Sequence, residues 1–256
     1  MPHPSLKDKV AIVTGAGVGM GLATARLFAE SGAKVVLNDI NEETGIAATE
    51  SITDEGGTAS FFRADVSQAG EVEALVQAAV ERYGRLDCAV NNAAIPPTPQ
   101  PIAEMDEEEM DRVFAVDLKG MLLCLKYEIA QMLRQGNGGA IVNIGSVNSF
   151  RPQPNNAHYT AAKHGVLGLT KGASLENAGH GIRVNAVCPG AIDTPMLRGW
   201  LDELNMTEEE FAPPLSLFGR FGKPEEVAEV NVWLCSDAAS YITGAALSVD
   251  AGYTSR

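Results

Sequence analysis

The chain has 256 residues, of which 45% are hydrophobic and 20% charged, and its formal net charge is −14. That length accommodates one large core or two modest domains. An acidic balance of this size argues against nucleic acid, whose phosphates need a basic footprint, and against an anionic membrane surface.

No stretch approaches the run of about 18 apolar residues that a membrane-crossing helix requires. The opening "MPHPSLKDKVAIVTG" lacks an apolar segment of signal-peptide length. Cys88, Cys124, Cys188 and Cys235 are widely spaced with no C-x-x-C pair, as expected of reduced thiols in a cytoplasmic protein. His3, His158, His164 and His180 form no H-E-x-x-H or similar set, so no metal site is expected.

In chain order, "KVAIVTG" is a short apolar run ending in glycine and predicts a buried strand. "MGLATARLFAESGA" follows with helical spacing at Leu22, Ala25 and Leu27, and Gly32 is its stop. "KVVLND" and "TASFFRAD" predict strands two and three, and "EVEALVQAAVERYG" a helix ending at Gly84. "LDCAVNNAA" reads as strand four, running into a Pro-rich loop from Pro96 to Pro101. The next helix begins at a cap on Asp106, with Glu109 in capping-box position, and continues to about Arg134. The run "EMDEEEMD" reads as its solvated acidic start rather than a cation site. "AIVNIGS" is strand five, the segment "HYTAAKHG" opens a helix, "IRVNAVCPG" is strand six and "AALSVDAG" strand seven. Strands alternating with helices predict an α/β fold. The expected form is one Rossmann-like domain over 1–256: a doubly wound parallel sheet of about seven strands with helices on both faces.

The loop "TGAGVGMG" falls where the first strand meets the first helix. G-x-G-x-x-G fails there and the P-loop lacks its Lys-Ser/Thr end; Gly15, Gly19 and Gly21 make G-x-x-x-G-x-G instead. Glycines at such a turn let the backbone approach a pyrophosphate at the helix N-terminus. Asp39 ends the second strand 18 residues after Gly21, where a carboxylate can bond the ribose hydroxyls of NAD and repel a 2′-phosphate. Val18 and Met20 within the loop and Ile40 after Asp39 offer no cation to welcome NADP.

Thr14-Gly15-x-x-x-Gly19-x-Gly21, Asn91-Asn92-Ala93, Ser146, Tyr159-x-x-x-Lys163 and Pro189-Gly190 together resemble the short-chain dehydrogenase/reductase family, in the family's order and over nearly the whole chain. The resemblance implies that Asp65 and Val66 flank the adenine and that Asn92, Ala93 and Ala94 line the cofactor, Ala94 replacing the more usual glycine. By the same resemblance Pro189, Gly190, Ile192 and Thr194 lie at the nicotinamide, with Ile192 and Thr194 contacting its carboxamide. Lys163 is implied to hold the nicotinamide ribose. "FAVDLKG" departs from the family by placing Asp117 where an asparagine usually holds a water in a proton relay, which predicts a modified relay and a raised Lys163 pKa.

The chemistry of these residues leads the same way. Oxidising a carbinol requires removal of its hydroxyl proton, and a free phenol with pKa about 10 is a poor base at neutral pH. Tyr159 and Lys163, four apart on a helix, share a face, and the ammonium together with a positive nicotinamide favours the phenolate. A shift of about two to three units corresponds to roughly 3 to 4 kcal/mol. Ser146 at the end of strand five can hydrogen-bond the substrate oxygen. Its context "GSVNS" is not the G-x-S-x-G of a hydrolase nucleophile.

In the segment 194–222, Met196, Leu197, Trp200, Leu201 and Leu204 form an apolar stripe, either core packing or a lid over the substrate. Asn148, Gln153 and Trp200 join Ser146 and Tyr159 as expected substrate contacts, in a mostly apolar pocket suited to a compact secondary alcohol or ketone. "NNAAIP", "CLKYEI" and "GRFGKPEEVAE" look like family members that oxidise alicyclic alcohols or diols. Ala161, Gly165, Gly168 and Gly172 make a small-residue stripe on the Tyr159 helix, and the family commonly dimerises there on the way to tetramers, so a homo-oligomeric dimer of dimers is expected. The expected function is NAD-dependent oxidation of a secondary alcohol. A 3-oxoacyl thioester reductase and a catalytically silent nucleotide-binding regulator are the alternatives.

Overall fold

Short β-branched runs with apolar residues on both faces build the sheet in the computed structural model, which describes residues 5–255; His3 lies outside them. The strands are β1 (Val10–Thr14), β2 (Lys34–Asp39), β3 (Thr58–Arg63), β4 (Cys88–Asn91), β5 (Gly139–Ile144), β6 (Ile182–Pro189) and β7 (Ala246–Val249). They form one seven-stranded sheet in the order β3-β2-β1-β4-β5-β6-β7, and every pairing is parallel. Alternate residues serve opposite faces. Ala11, Val13, Val35, Leu37, Val90 and Val142 pack into one core, and Ile12, Val36, Ala89 and Ile141 into the other.

The helices are α1 (Gly19–Glu30), α2 (Glu42–Asp54), α3 (Ala69–Tyr83), α4 (Glu107–Val113), α5 (Met121–Gln135), α6 (Ala157–Asn177), α7 (Pro195–Leu204), α8 (Glu208–Phe211) and α9 (Pro224–Cys235). Phe28 of α1 with Val227 and Val232 of α9 covers the first face; Leu75 of α3, Leu125 of α5 and Val166 of α6 cover the second. Strand order reverses between β1 and β4, and at such a switch point the carboxyl ends of the strands open a crevice.

Several elements differ from the sequence expectation. Helices α2 and α9 were not foreseen. α2 buries only Gly45, Ala48 and Ile52, a stripe in which Ile52 alone is large and apolar, whereas α9 buries Val227, Ala228, Asn231, Val232, Leu234 and Cys235 and keeps Glu225, Glu226 and Glu229 exposed. β4 ends at Asn91 and β7 at Val249, so residues 92–94 have left the sheet. The helix expected from Asp106 to Arg134 is interrupted by a π-helical turn, Phe114–Gly120, between α4 and α5. Asp106 does cap, accepting from the Glu108 N–H at 2.9 Å. Glu109 does not complete a capping box: its carboxylate accepts from the Thr98 N–H (2.8 Å) and pairs with Arg112. The wide turn carries Asp117 into the interior, where it is buried.

A second carboxyl is buried at Glu128 on α5, where Oε2 accepts from Asn91 Nδ2 at 3.0 Å. Burial pushes Glu128 from 4.5 up to about 7, against the opposing hydrogen bond from Asn91. In the unfolded chain the group ionises at the lower value. The folded state therefore loses stability as pH climbs through that window, by about 3 kcal/mol once above it. Glu128→Gln is expected to be worth more at pH 8 than at pH 5 by up to that amount, read from urea unfolding at the two pH values. An equal effect at both would contradict the assignment.

Candidate active site

The glycine loop is held by contacts that explain its composition. Gly15 has φ +61°, and a Cβ on Gly21 would lie 2.0 Å from the Gly15 carbonyl oxygen, so neither position tolerates a side chain. Asn92 braces the turn: its Nδ2 donates to the carbonyls of Thr14 and Gly15, both at 3.0 Å, and its N–H donates to Thr14 Oγ1. The Ala93 N–H shares that hydroxyl at 3.0 Å, and Ala94 follows, half-buried. Helix α1 starts after Val18 with no side-chain cap and no acidic residue in its first turn, leaving its N-terminal amides available to an anion. Asp39 at the tip of β2 accepts from the Gly17 N–H (2.9 Å) and the Asn41 N–H (3.0 Å), which fix its carboxylate beside the loop. Ile40 next to it is exposed. Asp65 accepts from the Ser67 N–H at 2.9 Å in the turn after β3, and the Val66 side chain packs against Val72 and Cys124. A turn that excludes Cβ atoms, an uncapped helix start and a fixed carboxylate fit a dinucleotide.

The reactive groups meet beyond the ends of β5 and β6. Ser146 caps a short turn, its Oγ accepting from the Asn148 N–H at 3.1 Å, while Ser149 Oγ donates to the Lys163 carbonyl at 2.7 Å and ties that turn to α6. Tyr159 and Lys163 share one face of α6. The Lys163 ammonium lies 5.4 Å from the Tyr159 ring centroid, and the Tyr159 hydroxyl is hydrogen-bonded with Ser146. Behind them Lys163 Nζ is 3.4 Å from Asp117 Oδ2 and donates to the Ile144 carbonyl at 3.4 Å, and Asp117 Oδ1 accepts from the Ile95 N–H at 3.0 Å. Both members of the Lys163–Asp117 pair are buried.

Burial pushes the Tyr159 phenol above its ordinary value, the Lys163 ammonium opposes this as its position on the same helix face implies, and the Asp117 carboxylate adds to the rise. For Lys163, burial disfavours the ammonium, but Asp117 and then Tyr159 outweigh it and hold the group above its usual value. Burial likewise pushes Asp117 upward, against the pull of Lys163 and the Ile95 N–H.

Ser146 and Tyr159 open into a cleft of about 490 Å³. It brings Met20, Pro189, Gly190, Ile192 and Thr194 together with Ser146, Asn148, Gln153, Tyr159 and Trp200. A Cβ on Gly19 would sit 3.4 Å from Thr194 Cγ2, so the glycine loop packs directly beside Thr194. Gly15, Val18, Gly19, Gly21, residues 92–94, Asp117 and Lys163 do not line the cleft, nor do Asp39, Ile40, Asp65 and Val66 at the β2–β3 end of the crevice. The stripe on α7 divides: Leu201 packs with Ala212 and Phe221 in a small cluster, while Met196, Leu197, Trp200 and Leu204 line the cleft. Tyr253 and the prolines 97 and 99 also line it and were not foreseen; Tyr253 arrives from a C-terminal turn that no periodicity marks. Among the described residues, no group of three or more His, Cys, Asp or Glu could hold a metal, and no helix is long and apolar enough to cross a membrane.

A family model described as "Enoyl-(Acyl carrier protein) reductase" matches residues 15–254. The short chain dehydrogenase/reductase astE of Aspergillus oryzae is 49% identical over 249 residues, covering 97% of this chain and 95% of that protein. A 2,5-dichloro-2,5-cyclohexadiene-1,4-diol dehydrogenase of Sphingobium indicum is 43% identical, covering 97% of this chain and 98% of its own length. Among solved structures, a 3-ketoacyl-(acyl-carrier-protein) reductase from Brucella melitensis complexed with NADH superimposes with a TM-score of 0.89 at 37% identity, covering 98% of this chain and all of the other. The parallel sheet, its switch-point crevice and the extent of these matches define a Rossmann-like oxidoreductase. The chain belongs to the short-chain dehydrogenase/reductase family, which uses a nicotinamide cofactor.

Proposed function

We propose that the chain is an NAD-dependent oxidoreductase that interconverts an alicyclic secondary alcohol and its ketone, with Tyr159 as general acid and base. The observation that carries this is that Ser146 and Tyr159 stand in the wall of a mostly apolar cleft that Met20 of the glycine loop also lines, with the Lys163 ammonium buried behind them 5.4 Å from the Tyr159 ring centroid. The Sphingobium relative's name, an alicyclic diol dehydrogenase, supports the substrate class.

The dinucleotide is held by Gly15, Val18, Gly19, Met20 and Gly21 at the pyrophosphate and by Asp39 and Ile40 at the adenosine ribose. Asp65 and Val66 take the adenine, residues 92–94 the stem of the crevice, and Pro189, Gly190, Ile192 and Thr194 the carboxamide end. When bound, the oxidised nicotinamide supplies the hydride acceptor for the carbinol carbon and a positive charge that favours the phenolate. Ser146 then hydrogen-bonds the carbinol oxygen, and Tyr159 takes its proton. Lys163 keeps the phenolate charge paired and bonds the nicotinamide ribose. Asp117 acts through Lys163 as a positioning residue, and segment 194–222 closes over the substrate. The assembly proposed is a homo-oligomer, a dimer of dimers, built on the outer face of α6: Gly168 and Gly172 there meet nothing a Cβ would touch, while Gly165 is already covered by Leu118.

Asp117→Asn removes a negative charge that raises Tyr159 and Lys163 alike. Oxidation needs the phenolate, so the rise of kcat with pH is expected to move to lower pH in this variant. A profile that does not move would exclude Asp117 from the relay.

A 3-oxoacyl thioester reductase is the second reading. The description of the matching family model and the Brucella neighbour favour it, and that neighbour's NADH means NAD use alone does not separate the two. The deciding experiment is a panel of alicyclic alcohols and ketones beside a 3-oxoacyl thioester, each with NAD(H) and NADP(H). Turnover of the alcohols with NAD is expected. Turnover confined to the thioester would establish the second reading, and tight NAD binding with no turnover would establish a silent regulator.

A further inference from the structure

Within the apolar cleft one patch is polar and incompletely bonded. Asn148 is 3% exposed, and its backbone is fixed by the N–H bond to Ser146 Oγ. Its Nδ2 is 3.5 Å from Gln153 Oε1, at the outer limit of a hydrogen bond, and its Oδ1 is buried with no partner among the described residues. Asn156, 5% exposed and lining the same cleft, has an Oδ1 in the same state. Buried carbonyl oxygens are almost always hydrogen-bonded, and those left over at a concave wall mark where a ligand donor belongs. Around them the wall is apolar: Met196, Leu197 and Phe211 carry no donor, and Trp200 adds a broad ring whose one donor is its indole N–H.

Building on the function proposed above, we infer that the physiological substrate carries a second hydroxyl, donated to Asn148 Oδ1 while Ser146 and Tyr159 take the reacting oxygen. The Asn148 carboxamide stands two residues beyond Ser146 on one rigid turn, so both oxygens of a single small ring are read from the same structural unit. An unpaired acceptor calls for a donor, which favours a diol or hydroxyketone over a dione. A site built to bond a hydroxyl also discriminates against the analogue that lacks it, because its own polar group is then left unpaired. Asn148 and Asn156 are thus specificity residues rather than members of the proton relay.

The test compares cyclohexanol with the cis and trans isomers of cyclohexane-1,2-, 1,3- and 1,4-diol, using the full chain with NAD. At least one diol is expected to exceed cyclohexanol in kcat/KM by about tenfold or more, equivalent to about 1.4 kcal/mol. In Asn148→Leu the readout is the ratio of that diol to cyclohexanol, which is expected to fall towards one whatever happens to their common rate. Cyclohexanol turned over as well as every diol, or a ratio unchanged in Asn148→Leu, would overturn the inference and leave the proposed function standing. No turnover of any alcohol, cyclohexanol included, would overturn both.

Discussion

Tyr159→Phe is expected to lower kcat for alcohol oxidation by about a thousandfold, within the 10² to 10⁴ that a positioned acid–base group contributes and equivalent to about 4 kcal/mol. The substitution removes one oxygen and keeps the ring. The Lys163 ammonium, 5.4 Å from the ring centroid, keeps its aromatic neighbour and its carboxylate partner Asp117, so the buried pair is not left exposed. Folding and dinucleotide binding should therefore survive, and the thermal midpoint and the quenching of protein fluorescence by NAD serve as controls. The loss should fall on kcat rather than KM, because the missing proton acceptor is needed only as the alcohol reacts. A variant that folds, binds NAD and keeps kcat within tenfold of the parent would remove Tyr159 from the reaction.

Changing the tip of β2 should have the second largest effect. Asp39→Asn combined with Ile40→Arg is expected to lower the ratio of kcat/KM for NAD over NADP by about a hundredfold. Asparagine keeps one oxygen to accept the Gly17 N–H, received by Asp39 Oδ2 at 2.9 Å, and loses the charge together with the second acceptor that takes the Asn41 N–H. A charge-assisted bond to ribose is worth about 1.5 to 3 kcal/mol, and an arginine at the exposed Ile40 position supplies the cation a 2′-phosphate needs. A ratio unchanged by the double substitution would show that the cofactor is not read at this strand end.

The features legible in the sequence are those written in short-range spacing. Asp39 sits at the end of β2 because a β-branched run stops there, and Tyr159 and Lys163 share a face because four residues separate them on α6. Strand composition likewise announced the parallel sheet, since β-branched runs buried on both faces need helices on either side. Asp117 shows the other case. Its position in "FAVDLKG" is plain, but the π-helical turn that carries it under Lys163, where Leu118 meets Gly165 and Gly120 meets Val66, is one that no period reveals. The unfilled acceptors of Asn148 and Asn156, and the arrival of Tyr253 at the cleft, also depend on contacts between segments far apart in the chain. The upward displacement of Tyr159 could not be read either, because burial, its largest cause, belongs to the folded state.

The most direct measurement records, in one cuvette, the absorbance of reduced nicotinamide and the colour of a pH indicator while the purified chain meets NAD and an alicyclic secondary alcohol. The account predicts that both signals rise together, one proton released for each dinucleotide reduced, with a rate that increases with pH and is nearly abolished in Tyr159→Phe. Absorbance that stays flat with every such alcohol, or that rises equally fast in the phenylalanine variant, would contradict it.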